Sequence, residues 1–171
     1  MPKKKMIKAL NEQVNAEMYA AYLYLAMDAY FQSLGLTGFA KWMRAQVQEE
    51  LMHAMKIYDY IYERGGTVTL EAIAKPEVSW NSPLEAFEAA LKHEEHVTEL
   101  INKLVDLAIE EKDHATNAFL QWFVTEQVEE EASVGEIVDR LRLVKDAPSA
   151  MFMMDNNLGA RTFTMPAPAA D

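Results

Sequence analysis

Apolar residues recur along this chain at intervals of three and four, the spacing that builds one face of an α-helix. Four long stretches carry such a stripe. The first runs through Leu10, Val14, Ala21 and Tyr24, the second through Phe39, Met43, Ile57 and Tyr60. The third holds Phe87, Leu91, Val97 and Ile101, and the fourth Leu120, Phe123, Val134, Ile137 and Leu141. Turn residues divide them. The first helix is expected from Lys4 to Ser33, stopped by Gly35, and the second from Thr37 to Arg64, stopped by Gly65-Gly66. Ser82-Pro83-Leu84-Glu85 opens the third, with Ser as N-cap, Pro in the first turn and Glu three residues on. It continues to Glu111, and the fourth runs from an N-cap at Asp113 to Val144. A short fifth helix, from Ala147 to Leu158, ends at Gly159. The chain then reads as one domain over residues 1–161 and a flexible Pro/Ala tail over 162–171.

The connections set the topology. Short joints make helices one and two, and again three and four, antiparallel hairpins. The link from Gly65 to Asn81 is 17 residues long and includes a strand-like Thr67-Val68-Thr69-Leu70. A helix of about 28 residues is roughly 42 Å long, and a link of this length reaches about 55 Å when extended. It can therefore run the length of the bundle and start the third helix parallel to the second. The pattern predicts an all-α four-helix bundle with one long crossover and a short fifth C-terminal helix.

Polar residues interrupt the apolar stripes in register. Glu17 lies on the first, Gln46, Glu50 and His53 on the second, Glu94 on the third, and Gln127 and Glu130 on the fourth. Glu17 and Glu50 stand 33 positions apart, as do Glu94 and Gln127; a shift of 77 carries Glu17 to Glu94, Glu50 to Gln127 and His53 to Glu130. The hairpins look like two copies of one unit, which a pseudo-twofold axis would bring to one level of the bundle. A lone Glu on an apolar stripe is ordinarily a boundary residue that reaches solvent, and a lone His a satisfied core residue. Six such residues in matched register, Gln46 apart, are another matter. Carboxylates facing one core repel one another and resist ionisation unless cations lie between them. Oxygen ligands with one imidazole suit a pair of divalent metals, and Glu50-x-x-His53 puts two ligands one turn apart on one face. Tyr24 lies two turns beyond Glu17, where it either hydrogen-bonds a ligand or supplies an electron, or is an ordinary core tyrosine. Glu49, Glu126 and Glu129 adjoin the set, and the shift of 77 carries Glu49 to Glu126. They either form a third oxygen-rich position with Glu130 or belong to a solvated acidic face.

Composition narrows the chemistry further. The formal charge of −11 argues against a general nucleic-acid binder. The absence of cysteine excludes disulfides, thiolate metal sites and cysteine nucleophiles. Met1-Pro2-Lys3-Lys4-Lys5 leads straight into amphipathic helix, without the apolar core of a signal peptide. No apolar run is long enough to cross a bilayer. A soluble, cytoplasmic protein is expected, with neither nucleic acid nor membrane as partner.

The stretches Leu10-Asn11-Glu12-Gln13-Val14-Asn15-Ala16-Glu17, Gln48-Glu49-Glu50-Leu51-Met52-His53-Ala54 and Glu126-Gln127-Val128-Glu129-Glu130-Glu131 resemble signatures of the non-haem bacterial and archaeal ferritins. The likeness extends from Met6 to Arg161. It implies an iron-storage subunit that oxidises Fe(II), with O2 or H2O2, at a di-iron ferroxidase centre within the ferritin-like bundle. Glu17, Glu50 and His53 would hold one iron; Glu50 (bridging), Glu94 and Glu130 the other, with Gln127 alongside. Glu49, Glu126, Glu129 and Glu130 match the third iron site of prokaryotic members, and Tyr24 their tyrosine near the centre. The resemblance also implies a 24-subunit cage enclosing ferric oxide mineral, with the fifth helix lining a symmetry axis. No haem is expected. Bacterioferritins repeat Glu-x-x-His on the fourth helix and bind haem through a methionine two residues before the second-helix histidine, whereas this chain has Gln127-x-x-Glu130 and Leu51 there. Rubrerythrins need a cysteine-rich domain, and DNA-binding mini-ferritins lack this site and the fifth helix. The alternatives are another di-iron carboxylate oxidase or peroxidase, and a structural bundle with a satisfied polar layer.

Overall fold

Residues 4–164 are described by a computed structural model. They form α1 (Lys4–Ser33), α2 (Thr37–Glu63), α3 (Pro83–Glu110), α4 (His114–Val144) and α5 (Pro148–Leu158), and no strand occurs among the described residues. Residues 162–164 of the expected tail are non-helical, and 165–171 lie outside the described residues.

Local chemistry sets the helix ends. α1 closes through Gly35 at φ 72°, with the Leu36 N–H donating to the Phe31 carbonyl at 3.0 Å. α2 closes the same way through Gly65 at φ 72°, with Gly66 N–H on the Ile61 carbonyl at 2.8 Å. After α3 the left-handed position falls to Lys112, at φ 56°, where a side chain is disfavoured. That turn delivers Asp113 N–H to the Ala108 carbonyl at 2.8 Å. It leaves the Asp113 carboxylate capping α4, accepting from Thr116 N–H at 3.1 Å. Ser82 caps α3, its Oγ accepting from Glu85 N–H at 3.1 Å. Glu85 reaches back to Asn81 N–H at 2.7 Å, one residue earlier than in the usual reciprocal arrangement.

The crossover follows α1 from its start to its end. Gly66 lies against Ile7. Asn11 then accepts from Thr69 N–H at 2.6 Å and donates to the Thr67 carbonyl at 3.1 Å, and Asn15 donates to the Glu71 and Ala72 carbonyls. Trp80 ends the link, buried edge-on against Tyr30 near the far end of α1. Thr67–Leu70 is thus no strand, and its Thr67 and Thr69 backbone groups pair with the Asn11 side chain. Because α1 and α2 are antiparallel, this path starts α3 beside the start of α2. Phe87 accordingly packs on Phe31, Phe39 and Trp42. α3 therefore runs parallel to α2.

The core has two apolar clusters. One gathers Phe31, Phe39, Met43, Phe87, Val138 and Met154 where α5 docks; the other gathers Met6, Leu10, Ile61, Ile101, Leu120 and Phe123 at the opposite end. Gln13, Glu17, Gln46, Glu50, His53, Glu94, Gln127 and Glu130 are buried as well but belong to neither cluster. They are the polar layer between them.

Candidate metal centre

All four long helices contribute to this layer. Glu17 (α1), Glu50 and His53 (α2), Glu94 (α3), and Gln127 and Glu130 (α4) are each 5% exposed or less. Ligand atoms of Glu17, Glu50 and His53 lie within 4.8 Å of one another, close enough for one cation to touch all three. His53, Glu126 and Glu130 form a second group within the same limit. His53 Nδ1 is 3.4 Å from Glu50 Oε2, and its ring packs edge-on against Trp122 and Phe123.

The hydrogen bonds leave part of the layer unsatisfied. Gln13 donates to Glu17 Oε1 at 2.8 Å and Gln46 to Glu130 Oε2 at 2.9 Å. Glu94 accepts from the Tyr24 hydroxyl at Oε1 and from Gln127 at Oε2, the latter at 3.2 Å. Glu17 Oε2, Glu50 Oε1, Gln46 Oε1 and His53 Nε2 are buried without a hydrogen-bond partner. An unsatisfied buried polar atom costs about 1–3 kcal/mol, more when charged. Four at one level, three of them on anions or an imidazole, fit the coordination chemistry of a hard or borderline divalent cation.

Electrostatics lead to the same conclusion. The Glu50 carboxyl is pushed well above the ordinary range by burial first, then by the charges of Glu94, Glu17 and Glu130. Burial likewise raises Glu94, more than the Tyr24 and Gln127 hydrogen bonds lower it. Glu130 is pushed up to about 7 by burial and the charges of Glu94 and Glu49, against the Gln46 hydrogen bond. Tyr24 is held well above its usual value by burial and the charges of Glu94, Glu50 and Glu130. Without a cation this layer holds protons; a cation would replace them.

A ferritin-like domain matches residues 7–144. This chain belongs to the ferritin family. It is 47% identical over 161 residues to a bacterial non-heme ferritin of Bacteroides fragilis, covering 94% of this chain and all of that one. To the bacterial non-heme ferritin of Staphylococcus aureus it is 39% identical over 163 residues, covering 95% of this chain and 98% of the relative. An open-pore ferritin from the hyperthermophilic archaeon Archaeoglobus fulgidus superposes with a TM-score of 0.93 at 54% identity, over 94% of this chain and 99% of that one. A closed form of that ferritin made by site-directed mutagenesis gives 0.95 at 54%, over 96% and 100%.

Within this ferritin-family bundle the expected residues divide by position. Glu17, Glu50, His53, Glu94, Gln127 and Glu130 converge, and the Tyr24 hydroxyl reaches them through Glu94. Glu126 joins His53 and Glu130 and is raised by burial and by Glu129 and Glu49. Glu49 is instead paired with Arg161 at 2.5 Å, and Glu129 is exposed. Sequence reasoning did not single out Gln13, Gln46 or Thr98 as site residues. Gln13 and Gln46 orient Glu17 and Glu130, while Thr98 accepts from Gln127 at 3.3 Å and donates to Glu131 at 2.5 Å. One signal was present: Gln13 and Gln46 stand 33 positions apart, like Glu17 and Glu50. No described helix is long and apolar enough to cross a membrane.

Proposed function

We propose that this protein stores iron, with Fe(II) as its substrate, by oxidising pairs of Fe(II) in the polar layer and passing Fe(III) to a mineral. The observation that carries the reading is the pair of partnerless buried oxygens, Glu17 Oε2 and Glu50 Oε1, on residues that lie with His53 close enough to share a cation. In this reading Glu17, Glu50 and His53 hold one iron. Glu50 bridges to a second held by Glu94 and Glu130, with Gln127 keeping Glu94 in place. Glu49, Glu126, Glu129 and Glu130 form a third, weaker position. Anionic ligands favour Fe(III) over Fe(II), which supplies the driving force for oxidation. Two Fe(II) give up one electron each, and O2 with two protons leaves as H2O2; H2O2 can serve as oxidant in turn. Tyr24 holds Glu94 and would relay an electron through that hydrogen bond.

A shell of 24 copies around a mineral-filled cavity and a cytoplasmic location belong to the same reading and follow family habit. Residues 1–161 act in it as one unit, and neither nucleic acid nor a membrane is needed as partner.

The test is anaerobic loading of apo protein with Fe(II), then rapid mixing with air while ferric absorbance is recorded, with Glu50→Ala and Glu130→Ala alongside. Fast oxidation continuing well beyond three irons per chain, and sharply slowed in both variants, is expected. Oxidation that stops at two or three irons would point to a di-iron enzyme with another substrate. No protein-dependent oxidation would return the layer to a structural role.

A further inference from the structure

The chain after α5 is pinned to α2. Asp155 is buried, and its Oδ1 accepts from the Gly38 and Phe39 N–H groups at 2.8 and 3.0 Å, so a carboxylate of α5 satisfies the start of α2. The seat is tight: a Cβ on Gly38 would lie 1.7 Å from the Asp155 carbonyl oxygen, and one on Gly159 would meet Gly38 Cα at 3.1 Å. Beyond it Arg161 lays its guanidinium over the Trp42 ring, 4.3 Å from the centroid, and donates from Nη2 to Glu49 Oε2 at 2.5 Å. The two side chains are only 23% and 21% exposed, and Arg161 Nη1 is buried without an acceptor.

Glu49 stands four residues before His53 on α2, one helical turn from a member of the His53–Glu126–Glu130 group. Its charge acts on both Glu126 and Glu130, and His53 Nε2 there lacks a partner. Of Glu49, Glu126, Glu129 and Glu130, only Glu49 is ion-paired among the described residues. We propose that Arg161 is a tethered counter-cation that occupies Glu49 and thereby sets how tightly the third position holds a divalent cation. The inference rests on the proposed function and deepens it. A guanidinium does not lose its proton at any relevant pH, so it yields Glu49 only by swinging off Trp42, not by titrating. A partly exposed pair of this kind is worth little, on the order of a few-fold in equilibrium, so an arriving divalent ion can displace it. When the ion leaves, Arg161 returns. Glu49 is then a ligand on loan, and the third position releases its cation more readily than a permanent three-carboxylate cage would.

The experiment uses the assembled, full-length apo protein titrated with Zn(II), which binds without redox chemistry, by isothermal calorimetry. Wild type is compared with Arg161→Gln, Arg161→Lys, Glu49→Gln and the Glu49→Gln/Arg161→Gln double variant. The two tighter sites should be unchanged. The third should tighten by about twofold to fivefold in Arg161→Gln and stay near wild type in Arg161→Lys, which keeps the charge. In the Glu49→Gln background, removing Arg161 should change nothing. Equal third-site affinity in wild type and Arg161→Gln overturns the role of Arg161, and so does an equal gain in the Glu49→Gln background, which would assign the effect to the general field. Wild type that takes up no Zn(II) in the polar layer overturns the proposed function along with it.

Discussion

The α1–α2 hairpin places five polar side chains in the buried layer and the α3–α4 hairpin three, and the two sets are satisfied differently. From the second hairpin, Glu94 is held by Tyr24 and Gln127, and Glu130 by Gln46. From the first, Glu17, Glu50 and His53 each keep one buried atom without a partner. Two of the donors that settle the second set, Tyr24 and Gln46, come from the first hairpin. The repeat has therefore diverged into a half whose carboxylates are held by protein hydrogen bonds and a half that keeps buried oxygens and a ring nitrogen open to a proton or a cation. A bundle selected for stability alone would not keep the second kind, because a buried carboxylate with an unsatisfied oxygen is better replaced by an apolar side chain of similar volume.

Removing the shared ligand should have the largest effect. Glu50→Ala should slow Fe(II) oxidation by more than the roughly 10–100-fold that loss of an outer partner costs a metal site, as read by stopped-flow absorbance. Glu50→Leu should do the same while making the apo protein more stable by about 1–3 kcal/mol; a lower melting temperature in the apo variant would contradict the contrast between the halves.

Next comes pH. Burial and neighbouring charge raise the folded-state values of Glu50, Glu94 and Glu130, the last to about 7. A carboxyl raised on folding binds its proton more tightly in the native state. Its contribution is fully present below the unfolded value and lost as pH rises through the folded one. Apo protein should therefore lose stability from about pH 4.5 to pH 7, on the order of 3 kcal/mol for Glu130 alone. Cation affinity should rise over the same window as protons leave. Melting curves across pH, with and without Zn(II), should slope in opposite directions.

Much of this was legible in the sequence because helical periodicity and turn residues are local signals. α1, α3 and α4 begin and end within a residue of where Gly35, Ser82-Pro83 and Asp113 put them. The ligand layer was legible because the repeat places charges on apolar stripes, where their cost demands a reason. What was hidden depends on tertiary contact. Thr67–Leu70 has strand composition but finds Asn11 beside it, not a strand. Glu49 obeys the repeat as Glu126 does, yet Arg161, 112 positions later, claims it. No spacing rule reaches across that separation.

Two smaller effects sharpen the comparison. Tyr24→Phe removes the donor to Glu94 and should slow oxidation by about tenfold, the low end for an outer partner, while anaerobic binding at Glu17, Glu50 and His53 stays intact. Glu129→Gln changes an exposed residue and should alter the rate by no more than about twofold, which the same stopped-flow assay resolves.

The most direct measurement is a crystal structure of apo protein soaked with Zn(II) below one equivalent per chain, with anomalous maps locating the metal. The first peak should lie among Glu17, Glu50 and His53, each of which keeps a buried atom without a partner, and a peak between Glu94 and Glu130 should appear only at higher loading. A first peak on the Glu94–Glu130 side, or none in the polar layer at any loading, would contradict the division of the site proposed here.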